Sequence, residues 1–261
     1  MGSGRGDIQR HDAGQVNLED SSDSASHWQS MQELGIDQCV IMPGFTYNTA
    51  TGDKAIRDIN DQVSQYAAAN EFVAGSFAIV DPLAMEDPDA EVNRVVSELG
   101  CLGLAWHNRF QRVWMNADPV KRLIRACPEE TRLIACHCVA ESHMEAVWRL
   151  EELLYEFPER KFLAMSVFTA HSQCSEIIQV AARHPNLYVE IGGMVPLGLW
   201  IEEFVDKVGS DRLLFGTDLY TSAPLFRHNY AKALVDNAHI SEQDRELIYS
   251  GNILRLLRGD A

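Results

Sequence analysis

Asp211-Arg-Leu-Leu-Phe-Gly-Thr-Asp218 carries four apolar residues in a row, Leu213 to Gly216, and stops on a carboxylate. A run without alternation reads as a strand buried on both faces, as in a parallel sheet. In a parallel α/β barrel, the residue at the C-terminal end of a strand sits at the mouth, where chemistry takes place. A carboxylate there needs a cation, a proton to manage or a hydrogen-bonded resting state. Asp218 is therefore expected to help hold a metal and to handle a proton. The alternative is an Asp that merely caps the next turn.

Upstream of this stretch the same unit recurs. Strands are expected over 36–42, 72–80, 101–107, 131–137, 161–167, 187–191 and 211–218. Between them fall amphipathic stretches over 54–69, 87–98, 117–127, 143–157, 175–184 and 199–208, with two more helices near 226–237 and 241–257. Ser241, with Asp244 three residues on, reads as the start of the last. A further helix is expected from Ser24 or Ser26 to Leu34, stopped by Gly35. Strict β-then-α alternation demands a parallel sheet. Units of about thirty residues fit a closed (β/α)₈ TIM-type barrel. Its first strand is degenerate or missing, the nearest hint being Asp7-Ile-Gln-Arg-His11. Residues 1–25 are polar and read as a flexible segment, leaving 26–261 as a single barrel domain. No Gly-rich phosphate fingerprint follows any strand, which argues against a dinucleotide site.

The 261 residues carry a formal net charge of -16, which argues against a nucleic-acid or anionic-membrane surface. No apolar run approaches the ~20 residues that span a bilayer. Six cysteines are scattered through expected strands and helices, so free thiols in a reducing, cytoplasmic setting are expected. Cys136-His137-Cys138 is too tight for a zinc knuckle, and in a strand its thiols would face away from His137.

His107, His137 and Asp218 each end a strand, and His171 lies a few residues past another. In a closed barrel such tips converge on one rim. Neutral imidazoles and a carboxylate suit zinc, with manganese or iron as alternatives. Asp218 could take a proton from a metal-bound water. Arg109 and Arg112, just past His107, could hold an acidic substrate. His143, His184, His228 and His239 read as solvated, and His27 as a first-helix residue.

Several motifs resemble the amidohydrolase-related metal-dependent hydrolases, the branch that includes aminocarboxymuconate semialdehyde decarboxylase. They are Leu34-Gly-Ile-Asp-Gln-Cys-Val-Ile-Met-Pro43, Phe77-Ala-Ile-Val-Asp-Pro82, Leu99-Gly-Cys-Leu-Gly-Leu104, His184-Pro-Asn-Leu-Tyr-Val-Glu190, Arg212-Leu-Leu-Phe-Gly-Thr-Asp218 and Asn252-Ile-Leu-Arg-Leu-Leu257. The likeness spans about 27–258. It implies a (β/α)₈ barrel with a metal at its mouth and either hydrolysis of C–N or C–O bonds or decarboxylation of aromatic and unsaturated acids. His137 matches the family's fifth-strand His, and Asp218 its eighth-strand Asp. The first-strand His-x-His has at most His11 as a counterpart. The sixth-strand His slot holds Met165-Ser166, with His171 the nearest imidazole.

Three functions follow. The first is a metal-dependent hydrolase or decarboxylase acting on a small organic acid, amide or lactone. Its metal ligands are His137, His171, Asp218 and His11, its catalytic residues Asp218 and His171, and its substrate-binding residues His107 and Arg109. The second is a catalytically reduced subunit that partners a homologous barrel, an incompletely closed sheet being an edge that needs cover. The third is a subunit of a metal-using oxygenase complex on the same scaffold. A homo-oligomer, or a hetero-oligomer with a homologous barrel subunit, is expected, with a small-molecule substrate.

Overall fold

The computed structural model describes residues 21–43, 52–192, 198–217 and 230–260. His11, Asp218, His228, the loop around Tyr47 and the hint of a first strand lie outside them. The chain divides into two compact units, one holding residues 1–106, 118–131 and 219–228, the other 107–117, 132–218 and 229–261.

In the first unit, α1 (Ser21–Glu33) precedes β1 (Cys39–Ile41), α2 (Gly52–Ala69), β2 (Val73–Ala78), α3 (Pro88–Asn93) with a π-helical turn over Arg94–Glu98, β3 (Gly103–Trp106) and, after residues of the other unit, α5 (Asp118–Ala126). The strands pair in parallel, β1 with β2 and β2 with β3. α1 begins upstream of the expected Ser24 or Ser26 start, and His27 does lie on it, its Nδ1 2.8 Å from the Tyr66 hydroxyl. Glu91, fully buried, accepts hydrogen bonds from Asn60 and from both Nε and Nη2 of Arg94, each at 2.8 Å. Asn60 then donates to the Ile79 carbonyl and accepts from the Ile79 N–H, both at 2.9 Å. One carboxamide thus satisfies both backbone groups where β2 ends.

The second unit holds α4 (Asn108–Gln111), β4 (Leu133–His137), a 3₁₀ turn (His143–Glu145), α6 (Val147–Glu156), β5 (Phe162–Met165), α7 (His171–Arg183), β6 (Leu187–Glu190), α8 (Leu199–Val208) and β7 (Leu213–Leu214). It closes with α9 (Tyr230–Asn237), α10 (Glu242–Glu246) and α11 (Asn252–Arg258). β4 to β7 pair in parallel, each with the next, and His137 aligns with Met165. Ser241 and Asp244 form the expected capping box.

The Asp211–Asp218 stretch is less of a strand than its pattern predicts. Ser210–Arg212 is a 3₁₀ turn, only Leu213 and Leu214 pair, and Phe215 to Thr217 are half-buried. The cause is tertiary. Arg212 Nη1 donates to the Ala181 and His184 carbonyls at 2.9 and 2.7 Å, capping the C-terminus of α7. Asn252 Nδ2 donates to the Ser210 and Leu213 carbonyls at 2.6 and 2.8 Å. Gly216 lies so close to the Glu190 carboxylate that a methyl there would force that side chain to move. The helix expected from Ser175 begins at His171 instead, and the stretch 143–157 splits into a 3₁₀ turn and α6.

Candidate functional site

β4 carries His137 to its C-terminal end behind four buried residues, Leu133 to Cys136. His107, the residue after β3, lays its ring parallel to that of His137, with centroids 4.0 Å apart and planes 3° apart. Its Nδ1 is hydrogen-bonded to Glu145 Oε1 at 2.5 Å. The same oxygen accepts the Arg109 backbone N–H at 3.0 Å. With Oε1 already acting as an acceptor, the Nδ1–H tautomer of His107 fits best, and Nε2 then carries the lone pair. The Phe110 ring lies 4.2 Å from His107, and the Arg109 guanidinium 4.8 Å from the Phe110 ring. Arg109 Nη1 also donates to Glu141 at 3.0 Å.

Burial governs the charge of this cluster. Desolvation, helped by the Arg109 charge, pushes the His107 imidazole down to about 3, so it is neutral near pH 7. Burial raises the Glu145 carboxyl, against the pull of the Arg109 N–H and of His137. The Cys136 and Cys138 thiols are also raised by burial, so they stay protonated and offer no thiolate ligand. All six cysteines are free.

The other candidates lie elsewhere. His171 is the exposed first residue of α7, its ring 5.6 Å from that of Trp200. Arg112 is exposed, in a left-handed conformation at the end of α4. His143 and His239 are exposed as expected, whereas His184 is buried, 3.2 Å from Glu151 Oε1 and edge-on to Tyr155. Asp218 and His11 are outside the described residues. In the sixth-strand slot, Met165 is buried and Ser166 is left-handed, with φ 53°.

A family model for amidohydrolases matches residues 39–259. The chain belongs to the amidohydrolase family. A search of curated proteins returned no match. Among solved structures, this amidohydrolase resembles 5-carboxyvanillate decarboxylase from Sphingomonas paucimobilis, with 16% identity over 90% of this chain and 83% of that one, at TM-score 0.70. It also resembles 2,6-dihydroxybenzoate decarboxylase complexed with 2,6-dihydroxybenzoate, with 18% identity over 97% and 91% of the two chains, at TM-score 0.69. A third is dihydroxybenzoic acid decarboxylase from Polaromonas sp. JS666, bound to manganese and 2-nitroresorcinol, with 18% identity over 98% and 94%, at TM-score 0.67. At these identities the likeness establishes the fold, which is the (β/α)₈ TIM-type barrel of the amidohydrolases.

The family implies a metal, and the geometry tests it. An imidazole binds an ion in the plane of its ring. Two parallel rings stacked 4.0 Å apart therefore cannot share one ion. Among the described residues no three His, Cys, Asp or Glu side chains stand together as a metal site. The described residues alone do not fit a divalent ion.

Sequence reading missed Glu145. A Glu near the start of a helical stripe reads as a charge that complements the helix dipole, and only the tertiary contact turns it inward. Asn108, next to His107, was missed as well, and nothing in the local pattern marks it.

Proposed function

We propose that this amidohydrolase is a metal-dependent hydrolase or carboxy-lyase for small organic acids, decarboxylation of a hydroxy-aromatic acid being the best-supported reaction. The carrying observation is the neutral His107, hydrogen-bonded to buried Glu145 and stacked on the strand-tip imidazole of His137. The relatives that act on carboxyvanillate and dihydroxybenzoate support the substrate class. Residues 26–261 act as one barrel domain. His137 and Asp218 are the metal ligands in this reading, with His171 and His11 as the further expected donors. Zinc suits imidazole and carboxylate, and the manganese of a relative is the alternative. The ion would supply polarisation of the substrate's oxygens. Asp218 manages the proton, and His107 and Arg109 hold the substrate acid. No helix of the described residues is long and apolar enough to cross a membrane, and six free thiols suit a cytoplasmic setting.

The parallel imidazoles and the Met165-Ser166 slot favour a second reading, a catalytically reduced subunit that completes its site within a homo-oligomer or beside a homologous barrel. One experiment separates the two. Metal content and CO₂ release from 2,6-dihydroxybenzoate are measured for the purified chain and for His137→Ala and Asp218→Ala. Stoichiometric metal and turnover, both lost in the variants, support the enzyme. Metal content unmoved by either substitution overturns the metal-ligand assignment.

A further inference from the structure

We propose that Asn108 is a specificity-determining residue for ligands carrying a hydroxyl beside a carboxylate, and that it forms one buried polar subsite with Glu145. This rests on the reading of the strand-tip rim as a small-acid site. Asn108 is fully buried, yet neither its Nδ2 nor its Oδ1 has a hydrogen-bond partner. Glu145 Oε2 and Arg109 Nε also lack hydrogen-bond partners and face one another only as a long ion pair at 3.9 Å.

Three other buried carboxamides of this fold are spent. Asn60 serves Ile79 and Glu91, Gln173 donates to the Cys138 carbonyl at 2.5 Å, and Asn252 serves Ser210 and Leu213. A buried polar group left unmade costs ~1–3 kcal/mol. Among the described residues Asn108 is the one buried side chain with both of its polar atoms lacking a hydrogen-bond partner, and it directly follows His107.

Structural need does not account for it. The segment His107–Ala117 is tied to residues 141–152 by other contacts. These are His107 to Glu145, Arg109 to Glu141, the Met115 N–H to the Met144 carbonyl at 3.2 Å, and Arg149, which stacks on Trp114 at 4.0 Å and donates to Asn116 Oδ1 at 2.8 Å. A carboxamide presents a donor and an acceptor side by side. Its complement is an acceptor beside a donor, which a carboxylate with a neighbouring hydroxyl supplies, and Arg109 offers the positive charge. The groups are sealed from solvent, so the proposed subsite requires a ligand to displace the His107–Ala117 segment.

The test is calorimetric titration of the purified chain, with and without manganese, using 2-hydroxybenzoate and benzoate as probes. The wild type is expected to bind the hydroxy acid at least tenfold more tightly, because a site built to bond a hydroxyl rejects the analogue lacking it. In Asn108→Leu, and in Asn108→Ala should the leucine variant fold poorly, that ratio is expected to fall at least threefold. A smaller wild-type ratio, or one unchanged in the variants, overturns the proposal. Variants that move the melting temperature but not the ratio mark Asn108 as a packing group and overturn it as well. Titration needs no turnover. Discrimination without CO₂ release would sink only the proposed activity, and turnover with an unchanged ratio only the role of Asn108.

Discussion

Replacing Glu145 with alanine removes the acceptor that two buried donors share, His107 Nδ1–H at 2.5 Å and the Arg109 backbone N–H at 3.0 Å. Each donor left buried and unpaired costs ~1–3 kcal/mol, together about 2–6 kcal/mol. Loss of the carboxylate also removes one orphan, Oε2, which returns about 1–3 kcal/mol on the same scale. Taking the middle of each range, the net destabilisation is about 2 kcal/mol. In a chain of this size, 1 kcal/mol moves the melting temperature by ~2–4 °C, so a fall of roughly 4–8 °C is expected. Glu145→Gln keeps Oε1 for both donors and should stay within about 1 kcal/mol of wild type. Thermal unfolding followed by circular dichroism at pH 7 reads both variants. Were alanine to cost less than glutamine, or neither to move the midpoint, the shared-acceptor account of this cluster would be wrong.

Two further perturbations probe the same physics. Asn60→Ala strands the Ile79 N–H and C=O and one bond of buried Glu91. It should lower the melting temperature by at least as much as Glu145→Ala, whereas a shift under about 2 °C would contradict the bridging role. The second concerns pH. His107 is held near 3 in the fold, against its ordinary 6.5. Below pH 6.5 the unfolded chain takes a proton that the folded chain refuses, so stability is present above 6.5 and falls by about 1.4 kcal/mol per unit towards 3. The raised Glu145 carboxyl acts in the opposite sense, costing stability as pH rises through its ordinary range. The slope is therefore measured in a Glu145→Gln background. Between pH 6.5 and 5.5 that protein should lose about 1 kcal/mol more than Glu145→Gln/His107→Gln does in urea titration, and equal losses would refute the neutral imidazole.

What the sequence made legible was whatever apolar continuity encodes. Phe162 to Met165 and Leu133 to Cys136 are runs that only a doubly covered strand can bury, and both are strands. The shortness of β7 was not legible, because Arg212 is drawn away by carbonyls of α7 some thirty residues earlier, a contact that no local pattern records. The site divides in the same way. His107 and His137 stood out as polar residues ending apolar runs, and they do meet. Glu145 reaches them through a 3₁₀ turn where periodicity alone reads helix. His171 sits near in sequence but heads an exposed helix end against Trp200.

The parallel stack also divides the labour among the imidazoles. In the proposed reading His137 and Asp218 would hold the ion, which would polarise the substrate's oxygens. The His107 ring, parallel to that of His137 and 4.0 Å away, would not share that ion. Its Nδ1 is already committed to Glu145, which fixes the ring's rotation and leaves Nε2 as the lone-pair nitrogen. A neutral, oriented, buried imidazole suits the substrate contact proposed for His107. Even a reduced ligand set around His137 and Asp218 would therefore keep His107 and Glu145 for the organic half of the reaction.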